Sequence, residues 1–267
     1  MGSPKRHVAI PKCLLERFSI NGHVWVYDFS LNKIFPSSCS KTGAETNYYS
    51  IDAEELLNKY ESKLASLLRD VEKLKRHNEI TNYLNQCHKT LIDFFNFQFQ
   101  RSKKILKETN KNSKYSKQHG DLSHSELIQI AGQIGDKVNI LTTLKGAVFA
   151  LHIICDDNQF FVTNSLGFYA VTDNKAIRYY VLPISNKMAI VIQTNYDKNN
   201  PISHYTLNKE LNEYFNKSCI GTEKDIGNGL IIAHSELELR DVLSENEITP
   251  INWFWDCINK VGKFLPK

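Results

Sequence analysis

The sequence lacks every cysteine spacing that metal or redox chemistry would use. Six cysteines, Cys13, Cys39, Cys87, Cys155, Cys219 and Cys257, are scattered over 267 residues without one C-x-x-C pair. That excludes a zinc knuckle or a dense disulfide framework and points to reduced thiols and a cytoplasmic location. His124, His152, His204 and His234 are widely separated, with no His-x-x-x-His spacing, so no metal site is expected. Walker loops, nucleophile elbows and G-x-G-x-x-G turns are missing, and no cofactor is expected. No run approaches the roughly 18 apolar residues of a membrane span. The most apolar stretch, Ala147 to Cys155, is interrupted by His152, and the N-terminal residues do not read as a secretory leader.

Aromatic and aliphatic side chains are abundant. With 42% hydrophobic residues, including 14 Phe and 12 Tyr, the chain can bury a large core. Its net charge of +4 is unevenly spread. Between Arg101 and Gln118 seven basic residues face the single acidic Glu108, giving that window +6 and leaving the remainder slightly acidic. Such a stretch fits a nucleic acid or another phosphate-bearing ligand, with Lys103 and Lys104 as candidate contacts. It equally fits a solvated helix end running into a polar linker at about residues 109–121.

Periodicity predicts an α+β fold in one domain over residues 1–267, helix-rich at 51–136 and strand-rich at 145–195. His23 to Phe29 alternates and returns through Lys33-Ile-Phe35, a β-hairpin. Ser50 or Asp52 caps an amphipathic helix carrying Leu57, Leu64, Leu67, Leu68 and Val71. A second long helix, about Glu79 to Lys107, pairs with it antiparallel. Ser123-x-x-Glu126 is a capping box for another helix. Ala147–Cys155 and Phe160–Thr163 read as two tightly joined strands, followed by Ile177–Leu182 and Met188–Ile192 about a Pro183–Asn186 turn. Helices near Leu207–Lys217 and Glu236–Leu243 flank Gly227-Asn-Gly, and a terminal helix is expected around Ile251–Val261.

One helical stripe breaks the rule that core faces carry hydrocarbon. Counting by three and four gives Leu91, Phe94, Phe95, Gln98, Arg101 and Ile105. An unpaired buried guanidinium costs several kcal/mol, so Arg101 needs a partner, and Glu61 at the edge of the preceding helix's stripe can supply one.

The segment His7-Val-Ala-Ile-Pro11 followed by Leu14, Leu15 and Phe18 resembles the opening H-x-V-P-x-x-x-L-x-x-F of domain-of-unknown-function family 4238. Val24-Trp-Val-Tyr27, Tyr48-Tyr49, Gln98 to Arg101 and Asn208 resemble later motifs of that family in the same order. The resemblance implies a fold layout and a microbial context without an assigned reaction. The family's F-x-T-S-D-N-P strand end corresponds to Phe161-Val-Thr-Asn-Ser-Leu166, where its acidic residue and proline are missing, which implies an altered member if that motif carries chemistry. Thr163, Asn164 and Ser165 are expected to edge a polar pocket.

If the N-terminal segment lies over the helix pair, His7, Glu61, Gln98 and Arg101 converge. An imidazole, a carboxylate, an amide and a guanidinium suffice for acid–base chemistry on a phosphate-containing substrate, as in a nuclease-like or toxin-type effector. The alternative is a non-catalytic binding or sensor module in which Arg101 pairs with Glu61, Gln98 satisfies backbone and His7 ends a strand.

Overall fold

The computed structural model describes residues 6–8, 10–46, 48–112, 120–134, 148–153, 156, 158–173, 176–193 and 209–244. The chain opens with β1 (Arg6–Val8) and α1 (Lys12–Phe18), then the hairpin β2 (His23–Asp28) and β3 (Lys33–Ser38). The hairpin turns where expected, because the Asp28 carboxylate accepts from the Ser30 and Leu31 amides at 2.8 and 3.2 Å while Asn32 takes the left-handed conformation, φ 49°. Strand β4 (Ala44–Thr46) folds back on β1 as a two-stranded antiparallel ribbon that places His7 opposite Glu45.

Helix α2 (Ile51–Lys73) is capped by Ser50, whose hydroxyl accepts from the Ala53 amide at 3.3 Å, and carries Asp52 and Glu54 in its first turn. The single long helix expected after it is instead three: α3 (His77–Gln86), α4 (His88–Gln100) and α5 (Lys103–Asn112). The second break is made by bonds from distant residues and by Ser102, whose hydroxyl caps α5 by accepting from the Ile105 amide at 3.1 Å. No Gly or Pro marks either break, so periodicity alone runs through them. Because α5 extends to Asn112, the first part of the expected linker is helical; residues 113–119, including Lys114 and Lys117, lie outside the described residues.

Helix α6 (His124–Ile134) starts with the predicted capping box: Ser123 N donates to Glu126 at 2.7 Å and Glu126 N to the Ser123 hydroxyl at 3.2 Å. There follow β5 (Val148–Ile153), β6 (Thr163–Asn164), β7 (Tyr169–Asp173), β8 (Ala176–Pro183) and β9 (Met188–Gln193), then α7 (Lys209–Ile226), β10 (Leu230–Ala233) and α8 (Glu236–Ser244). The expected tight pairing of the first two C-terminal strands does not form. β5 pairs with β9, and Phe160 to Val162 run as extended coil gripped by α7, with Asn212 and Asn216 donating to the Phe160 carbonyl at 2.9 Å each. Asn208 and the terminal helix lie outside the described residues.

Two four-stranded antiparallel sheets result, ordered β3-β2-β10-β6 and β5-β9-β8-β7. The N-terminal hairpin thus shares a sheet with the late strand β10. In the other sheet Leu182, Ile190 and Ile192 face the core built on α1, α2 and α4, while Val181, Ala189 and Val191 face α7 and α8. Both faces are covered, which is why Met188 to Ile192 reads as continuous hydrocarbon without alternation. A third cluster, Tyr49, Ala53, Leu57, Phe97 and Ile128, joins α2, α4 and α6.

Candidate functional site

Arg101 sits at the elbow between α4 and α5, only 3% exposed, and its guanidinium Nη2 donates to Glu61 Oε1 on α2. The same guanidinium lies 5.9 Å from the centroid of the Tyr49 ring. Glu61, with a smaller contribution from Glu54, keeps Arg101 charged despite its burial. Tyr49 is held neutral, its pKa pushed up to about 12 chiefly by burial. The two members of the expected constellation that face each other are therefore Arg101 and Glu61. Gln98 turns elsewhere: its amide donates to the Leu166 carbonyl at 3.1 Å, tying α4 to the turn after β6, where Gly167 takes φ 73°. β1 carries the His7 backbone to Glu45, but its side chain lies outside the described residues.

The elbow's far side supports an arrangement that helical periodicity did not single out. Tyr48, half-buried, places its hydroxyl 2.7 Å from His124 Nδ1 and 3.3 Å from Nε2. His124 Nε2 lies 3.3 Å from the Ser102 carbonyl. Burial holds the imidazole pKa below its usual value, against the opposing pull of the Ser102 carbonyl and Glu45, with Lys103 lowering it further. Burial raises the Tyr48 phenol. Lys103 Nζ stands 5.7 Å over the Tyr48 ring and 2.5 Å from Glu45, in an ion pair open to solvent on both sides. Tyr48, His124, Lys103 and Glu45 thus form a polar rim near the Arg101–Glu61 pair, whose guanidinium is buried and whose carboxylate is partly exposed. No group of His, Cys, Asp and Glu side chains among the described residues has metal-binding geometry.

A second network holds the elbow from below. Ser102 Oγ donates to the Ile226 carbonyl at the end of α7, Lys103 N donates to Asn228 Oδ1 at 2.9 Å, and Asn228 Nδ2 donates to the Arg101 carbonyl at 3.4 Å. Lys104 Nζ donates to the Lys224 and Asp225 carbonyls, a cation at a helix C-terminus where the dipole favours it. Thr163, Asn164 and Ser165 are fully buried beside this network. The Ser165 amide and hydroxyl donate to Glu223 at 3.0 and 2.7 Å, joined by the Gly229 and Leu230 amides at 2.5 and 2.8 Å, and Asn228 N donates to the Ser165 hydroxyl at 2.7 Å. Glu223 is 1% exposed, and burial raises its pKa against these donors. It has the signature already used for Arg101, a charge between the buried positions Cys219, Ile220 and Ile226 on one helix, and the same count by three and four finds it.

The family model of DUF4238, a protein of unknown function, matches residues 6–236. The chain belongs to the DUF4238 family. No curated protein and no solved structure matches it. The DUF4238 match runs from β1 into α8, so the rim, the Arg101–Glu61 pair and the Glu223 network all lie inside the family's span.

Proposed function

We propose that this chain acts on a phosphate-containing polyanion, guided along α5 to the rim formed by Tyr48, His124 and Lys103, where acid–base chemistry takes place. The observation that carries this reading is the row Lys103, Lys107 and Lys111, exposed and four residues apart on α5, ending beside the Tyr48–His124 hydrogen bond. Four helical residues advance about 6 Å, a spacing that lets successive ammonium groups follow a phosphate backbone. An unprotonated imidazole bonded to a neutral phenol, with a cation above the ring, supplies a base, a hydroxyl and charge stabilisation in one place. Arg101, Glu61 and Gln98 serve as the frame that sets the elbow. A nuclease-like or toxin-type effector working in the cytoplasm is the form of this reading that fits the unpaired thiols of Cys13, Cys39, Cys87 and Cys219.

The test is binding and cleavage of a labelled single-stranded oligonucleotide, DNA and RNA in turn, against salt. Three lysine–phosphate contacts predict a slope of about −2 in log affinity against log salt. Lys107→Glu with Lys111→Glu is expected to flatten that slope, and a flat response in the unaltered chain refutes the strand path. For the effector form, expression of the unaltered chain slows growth of a bacterial host and His124→Ala relieves it; equal growth of the two counts against it.

One observation favours a second reading, a binding module without catalysis. The guanidinium of Arg101 and the amide of Gln98 are engaged within the fold, to Glu61 and the Leu166 carbonyl. Salt-dependent binding with no strand cleavage by any preparation distinguishes it.

A further inference from the structure

A cleft of about 380 Å³, its open mouth included, lies between α7, α8 and the coil around Phe160. Lys209, Asn212, Glu213, Asn216 and Lys217 line one wall, and because they recur at three and four along α7 they share one helical face. That wall is polar and anchored. Asn212 and Asn216, 3% and 4% exposed, each donate Nδ2 to the Phe160 carbonyl at 2.9 Å. A carbonyl only accepts, so the oxygen of each carboxamide is the end turned away from it. Asn216 uses its Oδ1 on the Val162 amide at 3.1 Å, while the Asn212 oxygen is left as an acceptor for the cleft that this residue lines. Gln159 repeats the pattern. Its Nε2 donates to the Asp156 carboxylate at 3.3 Å, and its buried Oε1 has no hydrogen-bond partner. Asp241, on the α8 side of the same cleft, enters no ion pair among the described residues.

We infer that this cleft binds a free α-amino acid with a polar side chain, held as its zwitterion. A buried acceptor without a donor is costly, so the Gln159 and Asn212 oxygens call for a donor-rich ligand. An ammonium group brings three donors and a positive charge that the Glu213 and Asp241 carboxylates favour. A simple polycation fits poorly, because Lys209 and Lys217 stand in the same wall and repel it. Those two cations match a carboxylate. Lys209 Nζ lies 3.7 Å from Glu213 in an exposed pair one turn apart, a loose contact that leaves the ammonium able to take a ligand carboxylate as well. Phe160 and Val242, the apolar residues of the lining, are only 9% and 5% exposed, so the cleft offers little hydrocarbon and selects a polar side chain. It stands on the first half of α7, whereas the elbow is bonded to the last turn of that helix, so the inference does not rest on the polyanion reading.

The experiment is calorimetry on the full chain with L-serine, L-asparagine and L-glutamine as probes. At about 10 mM at least one is expected to raise Tm by about 3–6 °C, the shift that a ligand at ten times its Kd gives a chain of this size. No rise with any of the three overturns the inference. For serine the partial probes are ethanolamine, which lacks the carboxylate, and 3-hydroxypropionate, which lacks the ammonium; a rise that either one reproduces overturns the zwitterion. The site itself is tested by titration calorimetry of Asp241→Asn and Lys209→Met, two exposed positions whose replacement leaves the Phe160 anchor intact. Each is expected to weaken binding about tenfold, the loss of one charged hydrogen bond. Affinity unchanged in both variants puts the amino acid elsewhere on the chain and overturns the assignment of this cleft.

Discussion

Removing Arg101 tests the frame of the site. In Arg101→Ala the guanidinium that donates to Glu61 and lies against Tyr49 is lost, and the Glu61 carboxylate is left in a partly buried position without it. Breaking a buried ion pair from one side costs about 3–5 kcal/mol. Glu61 is 27% exposed and recovers some hydration, which places the loss near the lower end, about 3 kcal/mol. For a chain of this size each kcal/mol moves the melting temperature by about 2–4 °C, so the expected drop is about 6–12 °C by differential scanning calorimetry. The companion variant removes both charges, Glu61→Leu with Arg101→Met. Replacing a buried pair by hydrocarbon of similar volume is often neutral or stabilising, so the double variant is expected to regain at least half of the lost stability. A double variant as unstable as Arg101→Ala, or a single variant within about 2 °C of the unaltered chain, would refute the idea that Arg101 earns its place through Glu61.

Four further outcomes are expected. Glu223→Ala strips the acceptor from three backbone amides and the Ser165 hydroxyl at a site 1% exposed; at about 1–3 kcal/mol for each unsatisfied donor the chain should fail to accumulate in soluble form, as expression and gel filtration will show. Gly227→Ala should fail in the same assay, because a Cβ there falls 2.0 Å from the pinned Glu223 carboxyl, whereas Gly229→Ala has open space and bears only the strain of φ 97°, about 1 kcal/mol by urea titration. The folded His124 pKa lies below the unfolded value of 6.5, so the unfolded chain binds the proton first. Stability from this group is therefore complete above that pH and is lost as pH falls through it; melting temperatures from pH 8 to 5 should show the gap between the unaltered chain and His124→Gln narrowing. Ser102→Ala removes the cap of α5 and the bond to Ile226, and about 1–2 kcal/mol by chemical denaturation is expected, together with an altered His124 titration in NMR spectra.

Much of the architecture was legible in residue patterns. The hairpin, α2 with its Ser50 cap, the Ser123–Glu126 capping box, and β8 and β9 about their turn follow from local spacing, because caps and periods are satisfied within a few residues. The breaks at Cys87 and Arg101 were not, nor was β10, which lies between β2 and β6. The elbow and β10 are set by partners far along the chain: Ile226 and Asn228 hold the elbow, and β10 completes the hairpin's sheet.

The site divides along the same line. From residue order alone, Arg101 in an apolar stripe demanded a buried acid, and Glu61 at a helix edge was the available one. Family membership was likewise carried by ordered motifs from His7 to the late helix. Tyr48 and His124 stand 76 residues apart, and Ser165 and Glu223 stand 58 apart. No period or spacing links such pairs, because a hydrogen bond acts over about 3 Å of space and is indifferent to separation along the chain. Local order therefore decided which helices and strands form and which charges need company, and packing of α6 and α7 against the elbow decided which side chains meet.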